Sequence, residues 1–206
     1  KPYHEWTGSG GHLHISLLDV DSGISRFFDP DGGLYNMSAT MRHFLGGVIQ
    51  YTRDFCLFYG STINSYKRFA LESWAPVNVA WSHDNRTSGY RVVGDGQSLR
   101  IENRIPGAEV NPYLAYAAMI GSGLYGIKHQ IEPPAELQGN AYDADNVPRV
   151  PTSLLEALAL WEASPVVRDV LGETVTKHSA HLARIEQRTF DSIVTVWERE
   201  RYLEQG

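Results

Sequence analysis

The residues best suited to chemistry lie in two short alternating stretches. In His12-Leu-His-Ile-Ser-Leu17 an extended backbone sets His12, His14 and Ser16 on one face and Leu13, Ile15 and Leu17 on the other. Two imidazoles projecting together from one strand can present nitrogen ligands to a divalent metal, although the same pair on a solvated strand only forms hydrogen bonds. In Arg100-Ile-Glu-Asn-Arg104 alternation places the Glu102 carboxylate between the guanidiniums of Arg100 and Arg104. Such a group suits a metal-bound carboxylate flanked by cations that hold phosphate or carboxylate oxygens; it also describes an exposed salt-bridge ladder. Arg68, Arg86 and Arg91 add guanidiniums near stretches rich in Asn, Ser and Thr. This use of arginine in an acidic chain favours a phosphate- and carboxylate-binding site. Gly8, Gly10 and Gly11, just ahead of the histidines, let the backbone approach a bound group closely or simply form a flexible turn.

Strands and amphipathic helices are needed to hold these groups. Besides the strand at His12–Leu17, alternation predicts one at Val77-Asn-Val-Ala-Trp81 and another at Arg100–Ile105, with Arg100, Glu102 and Arg104 sharing a face. A turn-rich Asp29-Pro-Asp-Gly-Gly33 leads to a helix from about Ser38 through Met41, Phe44, Leu45, Val48 and Ile49. Asn111-Pro112 reads as an N-cap and first helical position, opening a helix from Tyr113 through Met119 towards Leu124. Ser153-Leu-Leu-Glu156 has the spacing of a capping box, and Ser164-Pro165 opens a helix that stops near Gly172. Leu182, Ile185, Ile193 and Val196 predict a long helix ending the chain.

Composition narrows the function classes. With 206 residues, 42% hydrophobic and 20% charged, the chain can bury one substantial core. A net charge of -6 leaves no basic surplus for a phosphate backbone, so nucleic acid is not an expected partner. No apolar run is long enough to span a bilayer, so no membrane role is expected either. Cys56 is the sole cysteine and lies in the apolar run Asp54-Phe-Cys-Leu-Phe-Tyr59, which fits a buried thiol in a reducing compartment, hence the cytoplasm. The chain opens without Met and runs at once into glycines, as expected of a piece of a longer protein.

Several stretches together carry a family resemblance. Gly8-Ser-Gly-Gly-His-Leu-His-Ile-Ser-Leu17, Asn64-Ser-Tyr-Lys-Arg68, Asp84-Asn-Arg-Thr87, Arg100-Ile-Glu-Asn-Arg104 and Asn111-Pro-Tyr-Leu-Ala115 resemble, in order and spacing, the successive signatures of the glutamine synthetase catalytic domain. Gly139-Asn-Ala-Tyr142 and Trp197-Glu-Arg-Glu-Arg-Tyr-Leu203 look like the tails of such ligases. The resemblance implies an α+β domain with a largely antiparallel sheet, one face forming the active site and the other packing on helices. It also implies an ATP-dependent ligase, with Mg2+ or Mn2+, joining an amine to glutamate through a γ-glutamyl phosphate. Residues 1–206 would then be the C-terminal part of the catalytic domain. The N-terminal β-grasp domain, the first part of the catalytic domain and the remaining carboxylate ligands would lie upstream, leaving this piece inactive alone. The intact enzyme would form a homo-oligomer of stacked rings.

By the same resemblance His12 and Glu102 would bind the metal bridging the nucleotide phosphates. His14, Ser16, Arg91 and, less directly, Arg100 would contact ATP. Arg68 and Arg104 would hold glutamate, Arg86 would touch both phosphate and glutamate, and Gly8 would line the glutamate site through its backbone. Arg86 and Arg104 would also act on the transferring phosphoryl group.

The sequence departs from the ammonia-using members of that family at two places. Where they carry a glutamate before an Ala-Pro pair, this chain has Trp74 before Ala75-Pro76, with Glu72 two residues away. An indole cannot take a proton from ammonium, but its face can hold an alkylammonium or an apolar amine substituent. Trp74 therefore points to an amine larger than ammonia, unless it merely packs a loop. Thr7 stands where those members have Asn beside the glycine of the glutamate site, and a hydroxyl offers fewer contacts than an amide. The alternatives are an ammonia-using glutamine synthetase, which shares every assignment except Trp74, and a non-catalytic structural relative. A hydrolytic metalloenzyme built on His12 and His14 would leave the arginines without a role.

Overall fold

Alternation in the histidine and arginine-glutamate stretches resolves into strands of one small sheet. The computed structural model describes residues 1–3, 5–70 and 73–204. Its strands are β1 (Leu13–Ile15), β2 (Trp81–His83), β3 (Tyr90–Val93) and β4 (Arg100–Asn103), in the order β1-β4-β3-β2. β4 pairs antiparallel with β1 and β3, whereas β2 pairs parallel with β3. Register aligns His14, Glu102 and Arg91 across three strands. The neighbouring rows, Leu13–Asn103–Tyr90 and Ile15–Ile101–Val92, project to the opposite face, as the period of two requires. Tyr90, Val92 and Ile101 are buried there.

Buried helical residues pack with that apolar face into one core, and among the described residues seven α-helices accompany the sheet. They are α1 (Ala39–Tyr51), α2 (Cys56–Tyr59), α3 (Ile63–Tyr66), α4 (Pro112–Lys128), α5 (Leu154–Ala163), α6 (Pro165–Asp191) and α7 (Val196–Tyr202). Asn111 caps α4 by accepting from Tyr113 and Leu114, as the sequence predicts, and Ser38, where a helix was expected to begin, caps α1 by accepting from the Met41 N–H. α1 and α4 meet almost backbone to backbone: a Cβ on Gly47 would fall 2.6 Å from the Gly126 Cα and 2.3 Å from the Ser122 carbonyl oxygen. Phe44, Met41, Leu45, Tyr90 and Met119 belong to the resulting core. Trp161 of α5 is fully buried against Phe58, with ring centroids 4.6 Å apart, and its indole N–H donates to the Thr176 carbonyl at 3.0 Å. Gly172, at φ 78, interrupts α6 where its helix was expected to stop.

Other expectations need correction. Val77–Ala80 is extended but forms no strand of the sheet; Val79 N–H donates to Pro148 O at 2.7 Å, and Val150 N–H to Val77 O at 3.0 Å. All five residues from Val77 to Trp81 are buried, so their alternation does not sort a wet face from a dry one. Ser153 caps α5, but the Glu156 carboxylate accepts from Thr152 N–H and Oγ1 instead of returning to Ser153, so the box closes one residue early. The terminal helical segment breaks after Asp191 and resumes as α7, and Leu182, Ile185, Ile193 and Val196 are all exposed. Their spacing marks an apolar surface instead of a packed seam. Among the described residues no helix is long and apolar enough to cross a membrane.

Cys56 is buried as its apolar setting predicts, and burial pushes its thiol from an ordinary 9.0 up to about 12. The folded state binds this proton more tightly, so the contribution is complete below about pH 9 and lost as pH rises towards 12. Iodoacetamide at pH 8 is expected to leave the folded full-length protein unmodified at Cys56 and to alkylate it in denaturant, read by peptide mass. Equal rates in both conditions would contradict a buried, protonated thiol.

Candidate active site

The polar face of the sheet is organised around one carboxylate. Glu102, with a side chain only 3% exposed, receives His12 Nδ1 at 3.0 Å and Arg104 Nη1 at 3.0 Å on Oε1, and Arg91 Nη1 at 3.0 Å on Oε2. His14 Nε2 stands 3.7 Å from Oε1. Burial by itself would raise the Glu102 carboxyl, but hydrogen bonds from His12 and Arg91 and the Arg104 and His12 charges outweigh it and pull it to about 2. The carboxylate therefore remains charged under ordinary conditions.

Each neighbour is itself oriented. Arg91 extends from β3, where it pairs with Glu102, to Asp84 Oδ1, reached by both Nε and Nη2. Arg100 Nε donates to His14 Nδ1 at 3.3 Å, and its Nη1 reaches the Ser98 carbonyl. Burial lowers the pKa of His14; Glu102 opposes this, while the Arg100, His12 and Arg91 charges reinforce it. The 3.0 Å approach of His12 Nδ1 to Glu102 suits an N–H donating to the carboxylate, which assigns the lone pair to Nε2. Gly10 leaves room beside that nitrogen, since a Cβ there would sit 3.2 Å from Nε2.

Thus His12, His14, Arg91, Arg100, Glu102 and Arg104 come together as the sequence suggests. Gly8 meets Arg68 as well: a Cβ on Gly8 would lie 2.7 Å from the Arg68 Cγ. Arg68 is buried, donates through Nη2 to the Ile105 carbonyl, and stands 4.7 Å over the Phe69 ring. Ser16 and Arg86 are exposed and, among the described residues, neither hydrogen-bonds to the cluster. Trp74 is 76% exposed on a left-handed backbone with φ 60. The loop beneath it is tied to the site by Ser73, whose hydroxyl lies 2.8 Å from the Arg68 carbonyl and 2.6 Å from that of Ala70. Glu72 lies outside the described residues.

Two participants received no role from the sequence. Asp84 anchors Arg91, and its place in the quoted Asp84-Asn-Arg-Thr87 stretch was the available signal. Tyr142 approaches Arg104 closely enough to feel its charge, which partly offsets the rise that burial causes in the phenol. Only tertiary packing joins these two residues.

His12 and Glu102 offer a nitrogen and a carboxylate, donors that a divalent metal accepts. Among the described residues no group of three or more His, Cys, Asp or Glu is arranged to hold one. The pair supplies two donors of the kind a divalent metal takes, fewer than a full ligand set. A cavity of about 650 Å³, lined by Lys1, Tyr3, Asn64, Lys67 and Phe190 among others, includes none of the clustered residues.

Residues 1–202 match the family described as glutamine synthetase, catalytic domain. The chain is 48% identical to a γ-glutamylethanolamide synthetase of Streptomyces coelicolor over 203 residues, covering 98% of this chain and 43% of the relative. It is 40% identical to a glutamate–isopropylamine ligase of a Pseudomonas species, covering 99% and 45%. A glutamine synthetase of Thermotoga maritima is 36% identical, with 98% and 47% covered. Among solved structures, apo GmaS superposes with a TM-score of 0.87 at 32% identity, covering 98% of this chain and 47% of that one. The chain spans about half the length of the curated relatives it matches.

Proposed function

The chain belongs to the glutamine synthetase catalytic-domain family, and on that premise we propose that it is the C-terminal part of an ATP-dependent ligase forming a γ-glutamyl amide from glutamate and an amine. The carrying observation is the Glu102 cluster, which gathers cations and an oriented imidazole on one sheet face. Two relatives named for ethanolamide and isopropylamine products or substrates support an amine in place of ammonia, as does Trp74.

In this reading His12 and Glu102 hold Mg2+ or Mn2+, which supplies charge neutralisation on the phosphoryl group when bound. Arg91 and Arg100, with His14 and Ser16, hold the nucleotide. Arg68 and Arg104 hold the glutamate carboxylates, with Gly8 lining the site, and Arg86 reaches both phosphate and glutamate. Arg86 and Arg104 stabilise negative charge as the γ-phosphate passes to the glutamate side chain, and fixed positions supply much of the remaining acceleration. The neutral amine nitrogen then attacks the acyl phosphate carbon, the bond from that carbon to the phosphate oxygen breaks, and the proton lost by the nitrogen leaves with the phosphate. Water is a competitor for that step, so the site must exclude it.

The upstream part of the protein would contribute the β-grasp domain and the remaining ligands. The exposed apolar residues of α6 and α7 support a surface covered in the intact homo-oligomer, which the family implies to be stacked rings. A cytoplasmic setting agrees with the single thiol.

ATP-dependent phosphate release by the full-length protein, with glutamate, magnesium and a panel of amines including ammonium, tests the reading. Turnover with larger amines is expected. A clear preference for ammonium would make the protein a glutamine synthetase, and silence across the panel would favour a non-catalytic role. Trp74→Ala is expected to lower kcat/KM for the preferred amine by roughly 2- to 30-fold, the worth of a cation–π contact, with ATP and glutamate KM unchanged. An unaltered amine preference would assign Trp74 to loop packing alone.

A further inference from the structure

The turn Ala141–Asp143 lies far from β4 in sequence, yet side chains from the two segments that flank β2 hold it. Asn85 Nδ2 donates to the Gly139 carbonyl at 2.8 Å, Thr87 Oγ1 accepts from the Ala141 N–H at 2.9 Å, and Asn78 Nδ2 donates to the Ala141 carbonyl at 3.0 Å. Asn140 caps the turn by accepting from the Tyr142 N–H. Asn78 Oδ1 also accepts from the Gly89 N–H at 3.3 Å, and the Gly89 carbonyl accepts from the Arg104 N–H at 2.9 Å, so the clamped turn places Tyr142 beside the Arg104 segment.

The Tyr142 hydroxyl is nevertheless buried without a hydrogen-bond partner among the described residues, and so are Arg104 Nε and Arg68 Nε. The two nitrogens are donors and the phenol can donate. Buried donors normally find acceptors, and leaving several unpaired in one region costs stability that a bound acceptor would restore. Arg68 joins this region through its bond to the Ile105 carbonyl, one residue beyond Arg104. The missing complement is acceptor-rich and anionic.

We propose that the Tyr142 hydroxyl is a further substrate contact, donating to a carboxylate oxygen of the acid substrate held by Arg104. This rests on the ligase reading for the identity of the acid and deepens it by adding a neutral donor to the arginines. A phenol suits the position because it supplies one directed bond without adding a third cation to the arginine pair.

Tyr142→Phe in the full-length protein is the test. Because the hydroxyl has no partner among the described residues, a purely structural side chain would tolerate the change with kinetics unaltered. A substrate contact predicts a roughly 10- to 100-fold loss in kcat/KM for glutamate, carried mainly by KM, with ATP KM within about twofold and Tm preserved. An unchanged glutamate KM, with or without a fall in Tm, would overturn the assignment. Should the wild-type protein release no phosphate with any amine, the ligase reading fails separately. The contact is then read from the rise in Tm that glutamate produces. A rise in wild type that is lost in Tyr142→Phe supports it, and equal rises, or none in either protein, overturn it.

Discussion

Glu102→Gln in the full-length protein is expected to reduce amine-dependent phosphate release about a thousandfold, the scale associated with losing a preorganised electrostatic group. The amide nearly preserves shape but cannot ligate a cation as a carboxylate does, and it leaves Arg91 and Arg104 facing one another without their shared counter-charge. Breaking a buried ion pair from one side costs about 3–5 kcal/mol, so a lower Tm should accompany the loss. The pH dependence separates charge from shape. Glu102 titrates at about 2 in the folded protein against an ordinary 4.5, a difference worth roughly 3 kcal/mol. That contribution is present above about pH 4.5 and disappears as pH falls towards 2. The acid limb of a Tm-against-pH curve should therefore be shallower in Glu102→Gln. A variant with wild-type turnover would remove Glu102 from the chemistry, and an unchanged acid limb would show that its charge does not stabilise the fold.

Trp161→Ala should be the most damaging single change to the core, lowering unfolding free energy by about 3–5 kcal/mol. The indole fills the junction of α2, α5 and the part of α6 beyond Gly172, touching Phe58 and Phe55 while donating to Thr176. Alanine would leave a cavity and strip the Thr176 carbonyl of that donor. Urea unfolding of the full-length protein, followed by circular dichroism, measures the loss. A change under about 1 kcal/mol would mean that the neighbouring rings collapse into the space.

How much of this could be read from the chain depends on whether the signal was local. His12, His14, Arg100, Glu102 and Arg104 were legible because alternation on a strand fixes which side chains share a face. Strand register then brought Arg91 opposite Glu102, which alternation alone could not specify. Ser38, Asn111 and Gly172 acted within one helical turn of themselves, so their effects were read correctly. Val77–Trp81 misled because burial on both sides removes any relation between alternation and exposure. Leu182, Ile185, Ile193 and Val196 misled for the opposite reason: their helical spacing is real, but nothing in the chain specifies which surface covers them. Tyr142 escaped because its relation to Arg104 passes through Asn78, Asn85 and Thr87, three side chains on the two segments that flank β2.

The contact between α1 and α4 constrains the route by which this sequence can change. A side chain on Gly47 would strike the backbone of Ser122 and Gly126, and one on Gly126 would strike the backbone of His43 and Gly47. A crowded side chain can usually be accommodated by trimming its neighbour, but a carbonyl or an α-carbon cannot be trimmed by mutation. Neither glycine can therefore be rescued by a compensating substitution across the contact. Drift at either position would first require the two helices to separate and the core beneath them to be rebuilt, so these glycines are a barrier that single mutational steps do not cross.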